Sequence, residues 1–157
     1  MVSSEKEQRQ VKVRTSRASK SRSASDAVDY EALAQFRYEL RKFQAFSKAA
    51  AHTAGLTPQQ HQALLTIRGF SNRDPVSVGD LAEFLLIRHH TAVELVDRMS
   101  KLGLLSRIAD QADARRALVK LTKEGERRLQ KLSRIHLAEL RAIGPALTKI
   151  LKPFRGR

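Results

Sequence analysis

The stretch RHHTAVELVDRMSKLG, residues 88–103, carries the side chains of this chain that are best suited to bind a charged partner. Arg88, His89 and His90 open it, and imidazole rings can hold a metal ion or donate hydrogen bonds to phosphates and bases. Adjacent residues of a helix do not face each other, so His89 and His90 cannot easily share one ion. The other histidines lie elsewhere, without metal-ligand spacing: His52, His61 and His136. We therefore expect no metal and no cofactor, and we favour a phosphate or base contact over a solvated helix start.

These residues open a predicted helix that runs from about His89 to Lys101. Its apolar residues recur at helical spacing and predict a face packed on the core: Ala92, Leu95, Val96, Met99 and Leu102. Its polar face continues with Thr91, Glu94, Arg98 and Lys101. Gly103 follows, where a left-handed helix cap is expected. The pattern predicts a helix that is anchored by one face and free to bind with the other.

Two residues of the polar face have more than one interpretation. Glu94 can accept a hydrogen bond from cytosine N4 but repels phosphate, so it would favour base specificity over non-specific affinity. Arg98 can contact a base or a phosphate, or it can pair with Asp113 as a strut. Its place at the edge of the apolar face favours the strut.

Length and composition limit the classes of protein to which the chain can belong. Its 157 residues, 41% hydrophobic and 29% charged, are typical of one globular domain. The net charge of +14 favours polyanionic partners. The absence of cysteine removes disulfides and thiol chemistry. The sequence also lacks a phosphate loop, a dinucleotide fingerprint and a nucleophile elbow, so we expect no enzyme activity.

The chain contains no apolar run of membrane-spanning length and no secretory signal pattern, so we expect a cytoplasmic protein without a membrane partner. Residues 1–28 are rich in Ser, Arg and Lys and predict a basic, disordered arm. This arm holds seven Lys and Arg against three Asp and Glu, so most of the positive charge belongs to residues 29–157. The segment from Arg88 to Arg134 alone holds twelve Lys and Arg against six Asp and Glu.

Residues 29–157 predict a mainly α-helical (α+β) domain. A long helix is expected over about 29–54, and a second begins at Thr57, where Pro58 and Gln60 complete a capping box. A very short strand over 76–78 precedes a short helix whose apolar residues are Leu81, Ala82, Leu85 and Leu86. After residue 122 a long helix is expected to about residue 142, then a break at Gly144-Pro145 and a last helix over 145–152.

Residues 105–121 change to an alternating pattern and predict a β-hairpin with a charged tip. Arg115 and Arg116 flank that tip, and arginine on such a wing suits the narrow, electronegative minor groove of DNA. Two short helices joined by a tight turn and followed by a hairpin form a winged helix-turn-helix. The second helix of such a unit fits the major groove and reaches bases and phosphates with its N-terminal residues.

This region resembles the winged-helix core of the multiple antibiotic resistance regulator (MarR) family of transcription factors. The resemblance rests on an ordered set of motifs: Leu81-Ala82, Leu95-Val96-Asp97-Arg98, Gly103-Leu104, Asp110-x-x-Asp113-x-Arg115 and Leu121-Thr122-x-x-Gly125. Leu86 departs from the family, which often has glycine there, and this puts the geometry of the turn in question. Glu94 departs as well, since members more often carry a polar or basic residue at that position.

The resemblance implies a winged-helix core over about 56–122, between dimerisation helices over about 29–54 and 123–153. It implies a homodimer that binds double-stranded DNA at a pseudo-palindromic promoter site, usually as a repressor. A small aromatic or phenolic effector would release the DNA from a pocket between the first, second and long C-terminal helices. The residues expected to contact DNA are Arg88, His89, His90, Thr91, Glu94, Arg98, Lys101, Arg115 and Arg116.

The outer helices carry more apolar residues than a core of this size can cover, which favours a dimer interface over packing within one chain. The candidates for that interface are Phe36, Phe43, Phe46, Leu132, Leu140, Leu147 and Leu151. The alternative function is a basic structural protein, nucleoid-associated or ribosomal, that binds nucleic acid without sequence preference. A third interpretation is a winged helix used to bind another protein.

Overall fold

The computed structural model describes residues 29–70, 75–110 and 117–152. The helices in these ranges are α1 (Tyr30–Thr53), α2 (Pro58–Gly69), α3 (Val78–Phe84), α4 (His89–Lys101) and α5 (Lys123–Leu151), and the strands are β1 (Val76–Ser77), β2 (Leu105–Ala109) and β3 (Ala117–Leu121). The predicted N-terminal arm lies outside the described residues, as does the tip of the hairpin. The order of helices and strands confirms the predicted winged-helix fold, and the bounds predicted for α4 and for the hairpin strands are confirmed.

Side-chain caps determine where most of the helices begin. Thr57 Oγ1 accepts a hydrogen bond from the Gln60 N–H at 3.2 Å, and Gln60 Oε1 accepts one from the Thr57 N–H at 2.9 Å. These two bonds confirm the predicted capping box. The residues that cap α1, α3 and α5 through a side-chain oxygen are Asp29, Ser77 and Thr122.

The three strands form an antiparallel sheet in the order β1-β3-β2. Val76 pairs with Val119, and the hairpin runs in register from Leu105 opposite Leu121 to Ala109 opposite Ala117. The first strand is one residue shorter than predicted, because Ser77 caps α3 and the helix starts immediately after it. The sheet therefore ties the N-cap residue of α3 to strand β3 of the hairpin.

The core lies between α2, α3, α4 and the sheet. The predicted buried face of α4 is confirmed for Ala92, Leu95, Val96 and Met99, of which none is more than 1% exposed. The prediction for Leu102 is wrong, because this side chain is 57% exposed. Gly103 has a φ of +68°, which redirects the chain after the last turn of α4, and Leu104 enters the core instead.

Helix α5 runs without a break to Leu151, so the predicted interruption at Gly144-Pro145 is wrong. A proline removes one backbone hydrogen bond and normally pushes the preceding residue out of the helical region. Gly144 precedes the proline and has no Cβ, which reduces the steric clash between the proline ring and the preceding residue. Beyond the proline, Ile150 is only 7% exposed and lies beside the first turns of α1. Packing against α1 therefore maintains the helix where local preference would end it.

The wing, the end of α4 and the start of α5 meet through backbone contacts. The Thr122 N–H donates to the carbonyl oxygen of Leu104 at 3.1 Å, and its hydroxyl donates to that of Gly103 at 2.5 Å. A Cβ at Gly125 would lie 2.2 Å from the Leu104 carbonyl oxygen. The contact explains why the motif Leu121-Thr122-x-x-Gly125 ends in glycine.

The outer face formed by α1 and α5 carries exposed apolar side chains. The prediction of Leu132 as an interface residue is wrong, because it is fully buried inside the single chain. The other predicted interface residues are half-buried or exposed: Phe36, Phe43, Phe46, Leu140, Leu147 and Leu151.

Within the described ranges, no helix combines the length and apolar character needed to cross a membrane.

Candidate nucleic-acid interface

Helix α4 has one buried and one accessible face. Its apolar side is held against the core, while its polar side turns outward over three turns. The accessible residues are exposed except for Thr91, which is half-buried: Arg88, His89, His90, Thr91, Glu94, Arg98 and Lys101. The structure therefore brings together every α4 residue predicted from the sequence to meet DNA.

The start of α4 lacks the side-chain cap found on the other described helices. Arg88 is its N-cap residue and makes no capping hydrogen bond through its side chain, and no acidic residue lies in the first turn. The first N–H groups of a helix have no partner within the helix, and the helix dipole attracts anions there. Exposed Arg88, His89 and His90 surround these donors. The geometry and charge of this end suit a phosphate group.

A groove of about 210 Å³ lies between α3, α4 and the strands of the hairpin. It is lined by His89 and Val93 of α4, by the first turn of α3, and by Arg107 and Ala117 of the wing. The starts of both helices of the helix-turn-helix unit therefore open onto the same depression.

Arg98 lies beside Glu94 one turn earlier on α4, with a guanidinium nitrogen 3.7 Å from a carboxylate oxygen. Both side chains are more than half exposed, so this pair contributes little to stability. It does partly offset the negative charge of Glu94 on the basic surface. The predicted strut between Arg98 and Asp113 stays a prediction, because Asp113 lies outside the described residues.

Arg107 on β2 is a site residue that the sequence reasoning missed. Its guanidinium donates a hydrogen bond to a carboxylate oxygen of Asp97 on α4 at 2.5 Å. This ion pair links strand β2 of the hairpin to helix α4. An arginine within an alternating strand was the only signal for it in the sequence. The predicted wing residues Arg115 and Arg116 lie in the hairpin tip, outside the described residues.

A cluster of aromatic and imidazole rings, called the ring cluster below, lies between α1, α2 and α5, where the resemblance implied an effector pocket. The His61 ring lies 4.6 Å from the His136 ring, and Phe43 and Phe46 pack edge-on against His136 at 5.9 and 5.6 Å. His136 bonds to the Leu132 carbonyl through Nδ1 and to the Ser47 hydroxyl through Nε2. The rings thus occupy the space between the three helices.

Within this ring cluster, His61 is buried and its Nδ1 has no hydrogen-bond partner among the described residues. Burial, with a smaller effect from neighbouring His136, lowers the pKa of His61 to about 4. The fold therefore holds this imidazole in its neutral form at physiological pH. Across the described parts of the chain, no group of three or more His, Asp or Glu side chains is arranged to hold a metal ion.

Comparison with known proteins gives concordant results. Residues 54–116 match the model of the MarR family. The transcriptional activatory protein BadR of Rhodopseudomonas palustris is 34% identical over 76 residues, which are 48% of this chain and 43% of that protein. The present chain thus spans less than half the length of this curated relative.

Solved structures share the fold over most of the chain. A mutant of MepR from S. aureus, bound to an oligodeoxyribonucleotide, has a TM-score of 0.61 at 20% identity and covers 82% of this chain and 100% of its own. NadR in complex with 4-hydroxyphenylacetate has a TM-score of 0.62 at 25% identity, covering 77% of this chain and 82% of its own. Residues 54–116 are therefore similar to the MarR family, and the described residues share the fold of a solved MarR family transcription regulator.

Proposed function

We propose that this chain regulates transcription by binding a pseudo-palindromic promoter site as a homodimer, with α4 as the recognition helix. The observation that carries the proposal is the start of α4. An uncapped helix N-terminus lies next to exposed Arg88, His89 and His90, on a helix whose opposite face is buried. A rigid helix with free donors at one end is what insertion into a major groove requires.

The two parts of the exposed surface have different roles in this proposal. Arg88 and His89, at the start of α4, contact phosphates, which fixes the position of the protein but carries little sequence information. The outward face beyond them reads base edges, where each good bidentate contact contributes about 1–3 kcal/mol of discrimination. The residues proposed for that face are His90, Thr91, Glu94, Arg98 and Lys101. The wing residues Arg115 and Arg116 are proposed to reach the adjacent minor groove.

The homodimer is supported by the apolar side chains that α1 and α5 leave exposed. They are Tyr30, Leu33, Tyr38, Leu40, Ile135, Leu137, Leu140 and Leu151, each between 38% and 76% exposed. Apolar side chains gathered on two packed helices are typical of an interaction surface. A twofold dimer through these helices would present two α4 helices to half-sites about one helical turn of DNA apart.

We further propose that a small aromatic or phenolic effector acts through the ring cluster between α1, α2 and α5 and releases the DNA, so that the chain is a repressor. The complex of NadR with 4-hydroxyphenylacetate supports the chemical class of the effector. Activation is the second candidate, because the relative BadR is a transcriptional activatory protein. A reporter with the bound promoter separates them: deleting the gene raises expression for a repressor and lowers it for an activator.

Genomic footprinting with the purified chain tests the proposal. We expect a pseudo-palindromic site bound at least about 10³-fold more tightly than random DNA. The double variant Arg88→Ala/His90→Ala should lose most of this affinity, whereas Arg37→Ala, an exposed arginine on α1, should retain it. Steep salt dependence with no preferred sequence would contradict the proposal and support a non-specific structural binder instead.

A further inference from the structure

The turn between α3 and α4 contains a leucine in the left-handed backbone conformation. Leu86 has a φ of +54°, and it is the only described residue other than glycine with a positive φ. The Leu86 N–H donates to the Glu83 carbonyl at 3.1 Å, and the Ile87 N–H donates to the Ala82 carbonyl at 3.0 Å. These two bonds form a Schellman motif, in which the left-handed position favours glycine.

Two other helix ends in this chain have glycine at the left-handed position. Helices α1 and α4 end in the same pair of hydrogen bonds, and their left-handed residues are Gly55 and Gly103, with φ values of +70° and +68°. In all three motifs the next residue turns back toward the core: Leu56, Ile87 and Leu104. The three turns are therefore equivalent in backbone terms. Only the one that leads into α4 keeps a side chain at the position where a Cβ is unfavourable.

Packing within the chain does not explain this side chain. Leu86 is 92% exposed, the largest exposure among the large apolar residues in the described ranges. It precedes Arg88, the N-cap of α4, by two residues, so it projects from the same end of the recognition helix as the exposed His89 and His90. An apolar side chain in a strained, exposed position beside an arginine and two histidines indicates a contact made outside the free chain.

We propose that Leu86 makes an apolar contact with the DNA at the edge of the major groove entered by α4, against the C5-methyl group of a thymine. This inference rests on the proposed function. The thymine methyl is the apolar group that base pairs present in the major groove, and aliphatic side chains recognise it by contact. Leu86 is thus a specificity-determining residue that adds an apolar contact to the polar contacts of α4.

The test combines Leu86→Gly with operators in which each thymine is replaced in turn by deoxyuracil, which removes only the methyl group. The parent protein should lose roughly fourfold affinity at one thymine per half-site, the effect expected for one buried methyl. Leu86→Gly should bind the thymine operator more weakly by a similar factor and no longer distinguish it from deoxyuracil. Its Tm should rise by about 2–4 °C, because glycine relieves the left-handed strain. Leu102 is an exposed leucine at the other end of α4, so Leu102→Ala is the control. It should change neither the affinity for the thymine operator nor the preference for thymine over deoxyuracil.

The outcomes separate the two proposals. A parent protein with no preferred site would refute the proposed function. The inference alone would be overturned if the parent protein binds its site but tolerates deoxyuracil at every position. It would also be overturned if Leu86→Gly keeps the parent's preference for thymine over deoxyuracil. Unchanged DNA affinity in Leu86→Gly would likewise overturn the inference. A lower Tm in Leu86→Gly would show that the leucine supports the fold, which would also overturn the inference.

Discussion

At the scale of single residues, His61 couples the stability of the fold to pH. Its ring is 2% exposed, lies against His136 and has a pKa lowered to about 4, chiefly by burial. A histidine in the unfolded chain titrates near 6.5. Between these two values the unfolded state binds more protons than the folded state. Protonation therefore favours unfolding, and the free energy of unfolding falls as the pH falls.

We predict that the free energy of unfolding is constant above about pH 7 and falls by roughly 1 kcal/mol per pH unit from pH 6.5 toward 4. Urea denaturation at a series of pH values measures this slope. His61→Gln, which has no titrating ring, should remove most of it. An equal slope in parent and variant would show that other groups cause the pH dependence.

Glu124 determines the lowest pH at which the effect of His61 on stability can be measured separately. Hydrogen bonds from Arg127 and then Arg128 lower the pKa of its carboxyl group to about 2. A carboxylate with a lowered pKa stabilises the fold above its ordinary pKa and loses that effect as the pH falls below it. This loss begins below about pH 4.5. Comparing parent and His61→Gln between pH 5 and 6.5 therefore isolates the histidine.

Single residues also show how far the sequence predicts the site. Helical spacing was sufficient to assign the buried face of α4 and its exposed polar residues, because both follow from one helix on one core. It was not sufficient for Leu102, whose direction depends on the left-handed turn at Gly103. Arg107 and its partner Asp97 belong to different elements. Their ion pair depends on how the wing packs, which no local pattern encodes.

At the scale of elements, the junction at Gly125 determines how the wing and α5 join the core. Gly125→Ala would place a methyl group 2.2 Å from the carbonyl oxygen of Leu104, and backbone cannot move aside as a flexible side chain can. We predict a loss of about 1–3 kcal/mol in the free energy of unfolding, the usual cost of overpacking. Thermal and chemical denaturation measure it.

Gly69→Ala is the matched control for this change. Gly69 is the last residue of α2, and a Cβ there would meet no atom within 4 Å. Alanine favours the helix more than glycine by roughly 0.5–1 kcal/mol, so this variant should be as stable as the parent or more so. A Gly125→Ala protein as stable as Gly69→Ala would mean that the junction relaxes and does not require glycine.

The elements themselves follow from the sequence where local signals agree with packing. The caps, the periodicity and the hairpin alternation determine α2, α4, β2 and β3. At Gly144-Pro145 packing along α1 outweighs the local signal for a break, because the glycine reduces the steric clash before the proline and Ile150 beyond it is buried. Whether Leu132 faces the core or a partner could not be decided from α5 alone, since that depends on how α1 and α2 lie beside it.

At the scale of the whole molecule, the two proposed functions, DNA binding and dimerisation, belong to two different layers. The winged-helix unit holds the proposed DNA-binding surface, while α1 and the C-terminal part of α5 form a second layer with exposed apolar side chains. The ring cluster of Phe43, Phe46, His61 and His136 lies where α2 of the first unit meets α1 and α5 of the second. The effector proposed above would therefore act where the two layers meet.

The proposed dimer predicts that Leu140→Asp separates the subunits. Leu140 lies on α5 and is 41% exposed in the single chain. In a twofold interface one substitution introduces two carboxylates, and burying an unpaired charge costs about 3–5 kcal/mol. That cost raises the dimer Kd by at least about 100-fold. Sedimentation velocity at micromolar protein should show a dimer for the parent and a monomer for the variant. Binding to a full pseudo-palindromic site should weaken accordingly.

The matched control is Leu65→Asp, because Leu65 is 43% exposed but lies on α2 of the winged-helix unit. It introduces the same charge at the same exposure, so it should leave the parent's oligomeric state unchanged. Circular dichroism should show equal helix content in all three proteins, which separates loss of the interface from loss of the fold. A monomeric parent, or a dimer that survives Leu140→Asp, would contradict the assignment of this face. If the parent is a monomer, a single α4 would have to account for all of the sequence preference, and the bound site would be a half-site without twofold symmetry.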